Sequence, residues 1–382
     1  MIRTMLPFLL ILGLPSLASG AASTDGAGLE VYVYINGDND LLYATDEGKI
    51  VHQADDVFAL WNNIARNAGE RTRVHIYYDP NDEISASARG TVIRRLTDGV
   101  ISEDRNFGET DSADPRWFRQ LLRAESVQPN SNKILVFWGH GDGWRPISSY
   151  DHSHPESRFS YLDLAGMIED GEFSAILFDT CAMAYLEVLT AFEGKTHYLM
   201  ASQFELPLEG IQFRSVQLKQ DLAVLEFLMK IQADTADYQR IKGGIRSPLT
   251  IFDLSQLLDL RTYFDSAFEK WVWSISEMSR RESRQFANRV RPRLAGAVLS
   301  DSAAADLRAF AWNLSAEDKH FLATVKKLTS GRSGSLSFML PWNTEADQGD
   351  LVRLELERSP AWAELPNWDF EKKRMAYEKK GE

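Results

Sequence analysis

Two residues stand where a chain could do covalent chemistry: Cys181, the sole cysteine, and His140, each just past an apolar run. A thiol attacks as the thiolate, and a free cysteine near neutral pH is only slightly ionised unless a histidine or a helix N-terminus assists it. Cys181 lies between the run at 175–178 and a helical pattern over 183–192, so the amides and dipole of that helix could face the sulfur. His140 follows the run at 133–138 and could stabilise the thiolate, then protonate a leaving amine. Gly141 has no side chain to keep a substrate carbonyl from its amide, and with the amide of Cys181 it would form an oxyanion hole. Each residue also has a plainer role. Cys181 could be a buried small hydrophobe or half of an intermolecular bridge, and 139–143 could be a tight loop.

Asp179, two residues before Cys181, shares its face in extended chain. It could floor a pocket for a substrate Arg or Lys, or cap the following helix. His152 and His154 flank Ser153 in a polar stretch, but no third ligand follows at metal spacing, and a solvated loop is the commoner reading. Neither a zinc-protease motif nor a Walker or dinucleotide fingerprint occurs, so no metal site is predicted and no cofactor is required. Calcium at Asp38 and Asp40 is left open, against the commoner use of such acids in Asx-turns and caps.

The elements that must position these residues alternate. Residues 29–35 read as a strand closed by the turn 36–40, and apolar positions from Ile50 to Ala68 recur at helical spacing. Further strands are predicted at 73–78, 90–96 (short, accessory), 133–138, 175–178 and 197–201. Helices are predicted from Pro115 through Leu122, over 161–168 and over 183–192. Alternation of this kind implies a mainly parallel sheet covered on both faces, with reactive groups beyond the carboxyl ends of its strands. The stretch 216–330 reads as a mainly helical extension with a short strand at 249–252, and 331–382 as a final core strand at 336–340 and a charged tail.

Arg3, the apolar run at 5–17 and the small residues after it read as a signal peptide over about 1–20, leaving a core over 27–215. An exported chain with one cysteine can form no internal disulfide. The protein is therefore expected in the periplasm or outside the cell, free of the membrane once the leader is removed. With 42 basic against 55 acidic residues the net charge is −13, which argues against nucleic acid as a partner.

Three stretches carry a resemblance in combination: Tyr32-Val-Tyr-Ile-Asn-Gly-Asp-Asn-Asp-Leu41, Ile134-Leu-Val-Phe-Trp-Gly-His-Gly-Asp-Gly-Trp144 and Ile176-Leu-Phe-Asp-Thr-Cys-Ala-Met-Ala-Tyr-Leu-Glu187. From about residue 29 to 342 the chain resembles the clostripain-like cysteine peptidases of the caspase-like clan. The resemblance implies a caspase-like α/β/α sandwich with a mainly parallel central sheet and C-terminal helical additions. It implies a His140–Cys181 dyad, an oxyanion hole at the Gly141 and Cys181 amides, and cleavage after Arg or Lys in peptide or protein substrates through a thioester. Asp179 would be the acidic floor of the pocket, with Ser202 and Gln203 in its wall. Where relatives commonly continue from that wall with acids, this chain reads Gln203-Phe-Glu-Leu-Pro-Leu-Glu-Gly210, so the basic preference is less firmly implied than the nucleophile. Self-cleavage between His and Cys would fall at Arg158, or at Arg145. The reading from another class is an exported, non-catalytic protein that holds peptides in the same cleft.

Overall fold

The computed structural model describes residues 28–45, 47–85, 87–122, 131–141, 151–157, 159–219, 223–242 and 248–260, with Leu328 and the backbone of 304–306 and 337–339. The strands are β1 (Leu29–Gly37), β2 (Leu42–Ala44), β3 (Ile50–His52), β4 (Thr72–Pro80), β5 (Val92–Thr97) and β6 (Val100–Asn106), of which β1 and β4 are rich in β-branched and aromatic residues. They continue as β7 (Asn132–Trp138), β8 (Phe173–Asp179), β9 (Thr196–Ser202), β10 (Leu249–Asp253), β11 (Ala304–Asp306) and β12 (Ser337–Met339). Eight of them make one sheet in the order β10-β9-β8-β7-β1-β4-β5-β6. The β9-β8-β7-β1-β4 centre is parallel, and β10, β5 and β6 join it antiparallel.

Alternating side chains of each central strand enter opposite cores, which is why these runs are apolar on both faces. Val31, Val33 and Ile35 of β1 face α1 (Gln53–Arg66) and α5 (Val224–Lys242), whose Phe58, Trp61, Phe227 and Ile231 complete that core. Tyr32 and Tyr34 enter the other core with residues of α2 (Pro115–Leu122), α3 (Tyr161–Met167) and α4 (Leu186–Ala191). The Tyr34 ring stacks on Tyr77 at 4.3 Å, and its hydroxyl donates to the Ser112 carbonyl at 2.6 Å. A caspase-like α/β/α sandwich results.

Several expectations are corrected. The helix after Cys181 begins at Leu186 rather than near Met183, because Ala182 and Ala184 donate their amides to the carbonyls of Phe204 and Ser202 instead of entering a helix. β6 was not anticipated, since its exposed polar sequence lacks strand alternation. β10, inside the span read as a helical extension, pairs with β9 and is part of the central sheet. The expected final core strand pairs instead with β11 in a separate two-stranded sheet.

His75 stacks on Tyr32 with ring centroids 4.6 Å apart, and neither ring nitrogen has a hydrogen-bond partner. Burial, assisted by Arg95, Arg73 and Lys133, pushes its pKa down from 6.5 to about 3. Between these values the unfolded chain binds more protons than the folded one, so stability is lost as pH falls below 6.5. Each unit of that range costs at most about 1.4 kcal/mol. Urea unfolding at about pH 7 and pH 5 should show a smaller acid-induced loss in His75→Phe than in the wild type. Equal losses would place the acid sensitivity elsewhere.

Candidate active site

The chain runs from β1 to β4 on one side and later continues through β7, β8 and β9 on the other, so the connections diverge between β1 and β7. A crevice beyond the carboxyl ends at such a point is the usual seat of a ligand in an open parallel sheet. Asp40 follows β1, His140 follows β7 and Cys181 follows β8. Trp138 pairs with Asp179, so His140 and Cys181 each stand two residues beyond the same rung.

Gly141 brings the two strand ends into contact. A β-carbon there would lie 2.3 Å from the Cys181 carbonyl oxygen and 2.9 Å from the Thr180 side chain, so no other residue fits without displacing backbone. His140 is about a third exposed, and its Nε2 donates to Asp40 Oδ1 at 2.7 Å. A carboxylate can only accept, so the proton stays on Nε2 and Nδ1 is the nitrogen suited to proton traffic. Asp40 reaches His140 from a turn held by the Leu41 amide donating to Asn39 Oδ1 at 2.9 Å and by His52 Nε2 at 3.1 Å from the Asn39 carbonyl.

Cys181 is partly exposed, and its Sγ accepts the Leu206 amide at 3.4 Å. The helix assigned to this task from sequence is too far along the chain to begin beside the sulfur, and the 202–206 segment supplies a donor instead. Ala182, with φ of 51°, turns the chain immediately after the nucleophile candidate.

Asp179 does not cap α4. Its carboxylate is buried and accepts the Ile211 amide at 2.8 Å, while Gly210 packs so closely that a β-carbon would lie 2.8 Å from Oδ1. Among the described residues no lysine or arginine pairs with it, and burial pushes its pKa up to about 7. The β8–β9 ladder runs as far as the Leu177–Met200 pair, and Asp179 and Ser202 each stand two residues beyond that rung. Gln203 is buried with its Oε1 lacking a donor, as is Thr180 Oγ1. Arg145 and Arg158 lie outside the described residues. A wide depression lined by Asn132, Phe173, Thr196 and Tyr198 opens at the opposite, amino-terminal ends of β7, β8 and β9.

Sequence reasoning found His140, Gly141, Asp179 and Cys181 at neighbouring strand ends, but missed that Asp40 meets His140. The signal was a second acid in the first-strand turn, read as a calcium ligand or cap. Of the two acids in that turn, Asp40 accepts from His140 and Asp38 accepts the Ser153 amide at 2.8 Å.

The clostripain family model matches residues 33–319. An inactive zymogen C11 protease from Parabacteroides distasonis has a similar structure, with TM-score 0.61 and 20% identity over 86% of this chain and 94% of that one. A secreted C11 cysteine protease from Bacteroides thetaiotaomicron, in complex with an irreversible peptide inhibitor, gives TM-score 0.58 and 17% identity over 90% and 100%. No curated protein sequence matches the chain. With three quarters of its length matched by one family model on a caspase-like sandwich, the chain belongs to the clostripain family and is a cysteine peptidase.

Proposed function

We propose that this protein is an exported endopeptidase that cleaves after Arg or Lys through a His140–Cys181 dyad. The observation that carries the reading is the contact of the two strand ends at Gly141, with His140 oriented by Asp40. The Cys181 sulfur adds to the scissile carbonyl, and the oxyanion that forms is held by the amides of Gly141 and Cys181. His140⁺ gives its proton to the amine as the C–N bond breaks, leaving a thioester. Water, deprotonated by His140, then releases the acid product and the free thiol. Asp40 is a positioning residue, keeping the imidazole in one tautomer.

The basic preference is supported by what lines the wall beside Cys181. Asp179 is a buried carboxylate without a cationic partner among the described residues, and Gln203 offers a carbonyl oxygen without a donor. A carboxylate without a cation beside it and an amide oxygen without a donor suit a side chain that carries only donors, as Lys and Arg do. Export is supported by the leader-like residues 1–20, and no helix among the described residues is long and apolar enough to cross a membrane. Self-processing at Arg158, or at Arg145, would release the chain from a latent form.

Hydrolysis of fluorogenic peptide amides tests the core of this reading. The mature protein should cleave after Arg or Lys, Cys181→Ala should fall to background, and His140→Ala should lose about 10²- to 10⁴-fold in kcat. Asp40→Ala should lower kcat with little change in KM, and Asp40→Asn, which still offers an acceptor, should retain more. Undiminished turnover in Cys181→Ala would end the dyad reading.

A second series concerns Asp179. A cationic side chain favours the ionised carboxylate, whose pKa in the unliganded pocket is about 7. The ratio of kcat/KM for an Arg reporter to that for an uncharged one should therefore rise as pH increases through that value, and lie flat in Asp179→Asn. The ratio cancels titrations common to both substrates. A slope unchanged in Asp179→Asn would assign the preference to another group.

Mass spectrometry of the secreted protein should find a first residue close to position 21 and fragments meeting at Arg158 or Arg145, the break being absent in Cys181→Ala. An active chain that stays whole removes the processing step.

A further inference from the structure

The carboxylate beside the nucleophile is open on one side only. Asp179 is 6% exposed at the end of β8, and its Oδ1 accepts the Ile211 amide at 2.8 Å. A β-carbon on Gly210 would stand 2.8 Å from Oδ1 and 3.3 Å from Oδ2, so the 210–211 backbone lies across the carboxylate and most closely over Oδ1. Among the described residues no donor reaches Oδ2, which is left as the atom that can meet a substrate.

That backbone is not free to withdraw. Ile211 is buried in the core shared with Phe227 and Ile231 of α5. Next along the chain, the Gln212 amide donates to Thr235 Oγ1 at 3.0 Å, and the Thr235 hydroxyl donates onward to the Ile231 carbonyl at 2.9 Å. Ser215 donates its amide and its hydroxyl to Asp234 Oδ2, at 2.8 and 2.6 Å. On the other side, the Tyr238 hydroxyl donates to Glu209 Oε1 at 3.1 Å, and the Gly210 amide closes a turn onto the Pro207 carbonyl at 2.8 Å. Asp234, Thr235 and Tyr238 of α5 therefore hold the segment 209–215 in place, and through Ile211 they keep Asp179 Oδ1 occupied.

We propose that this pocket selects Lys over Arg before the scissile bond, with Ile211 and Gln203 setting the choice. The inference rests on the basic preference argued above and narrows it. A guanidinium binds a carboxylate best as a planar fork, with two parallel N–H bonds to the two oxygens. One of those oxygens is taken and covered here. An ammonium is a compact point charge whose donors can go to separate acceptors, and Asp179 Oδ2 and Gln203 Oε1 are two without donors. Two such acceptors answer most of an ammonium's three donors but leave the larger part of a guanidinium's five unpaired in a buried pocket. The guanidinium is the more weakly hydrated cation and loses less on leaving water, but the donors it would bury without partners work against it.

The test compares kcat/KM of the mature protein, at about pH 8, for peptide amides identical except for Lys, Arg or norleucine before the reporter. Lys should exceed Arg about ten-fold or more. Ile211→Pro, which has no amide hydrogen to give, frees Oδ1 and should lower the Lys-to-Arg ratio about ten-fold. Gln203→Glu, which leaves the backbone alone and adds a carboxylate open to a fork, should lower it as well. Thr235→Val, a change at a positioning residue that touches no substrate, should move the ratio in the same direction. The ratio cancels the fraction of folded enzyme, so a loss of stability alone does not shift it. Arg cleaved as fast as Lys by the wild type, or faster, overturns the inference and leaves the basic preference standing. A ratio unmoved in both Ile211→Pro and Gln203→Glu overturns the assignment to these residues. Cleavage after norleucine as fast as after either base, or after none of the three, removes the basic preference itself and this inference with it.

Discussion

The parallel register between β7 and β8 is the constraint from which the site follows. Because Trp138 and Asp179 share a rung, the residues two places on come out at the same height on adjacent strands, and a slip of one residue would turn a side chain to the opposite face of the sheet. That register is fixed by apolar residues buried on both faces, so the positions of His140 and Cys181 draw on two whole cores and not on their loops alone. Gly141 then sets the spacing between the loops, because the Cys181 carbonyl occupies the volume any side chain would need.

The carboxyl ends of the strands are also an acidic rim. Asp38 and Asp40 follow β1, Asp79 lies at the end of β4 and Asp179 at the end of β8. Three of these four are buried, and burial pushes the pKa of each upward, so an approaching cation would favour their ionised forms. The whole chain, with a net charge of −13, surrounds them with further acids.

What could be read from the sequence divides along physical lines. The central strands were legible because a strand buried on both faces must be a continuous apolar run, and residues 133–138 and 175–178 are such runs. The residues beyond them were legible for the same reason, since chemistry gathers where those runs stop. β6 was hidden because an exposed edge strand needs no apolar pattern, and the delayed start of α4 was hidden because it depends on hydrogen bonds to Phe204 and Ser202, some twenty residues away. The Asp40–His140 contact spans a hundred residues and joins two strands whose adjacency appears only in the sheet order.

Both margins of the sheet end in antiparallel strands, β10 on one side and the β5–β6 pair on the other. An antiparallel strand needs only a short return, whereas a parallel one demands a crossover that repacks a whole layer. The fold can therefore lengthen or trim its margins over evolutionary time by hairpin additions, leaving the crevice at β1, β7 and β8 in the interior of the sheet untouched. Divergence among relatives should accumulate at these outer strands, and chimeras that exchange them have a structural reason to keep a working centre.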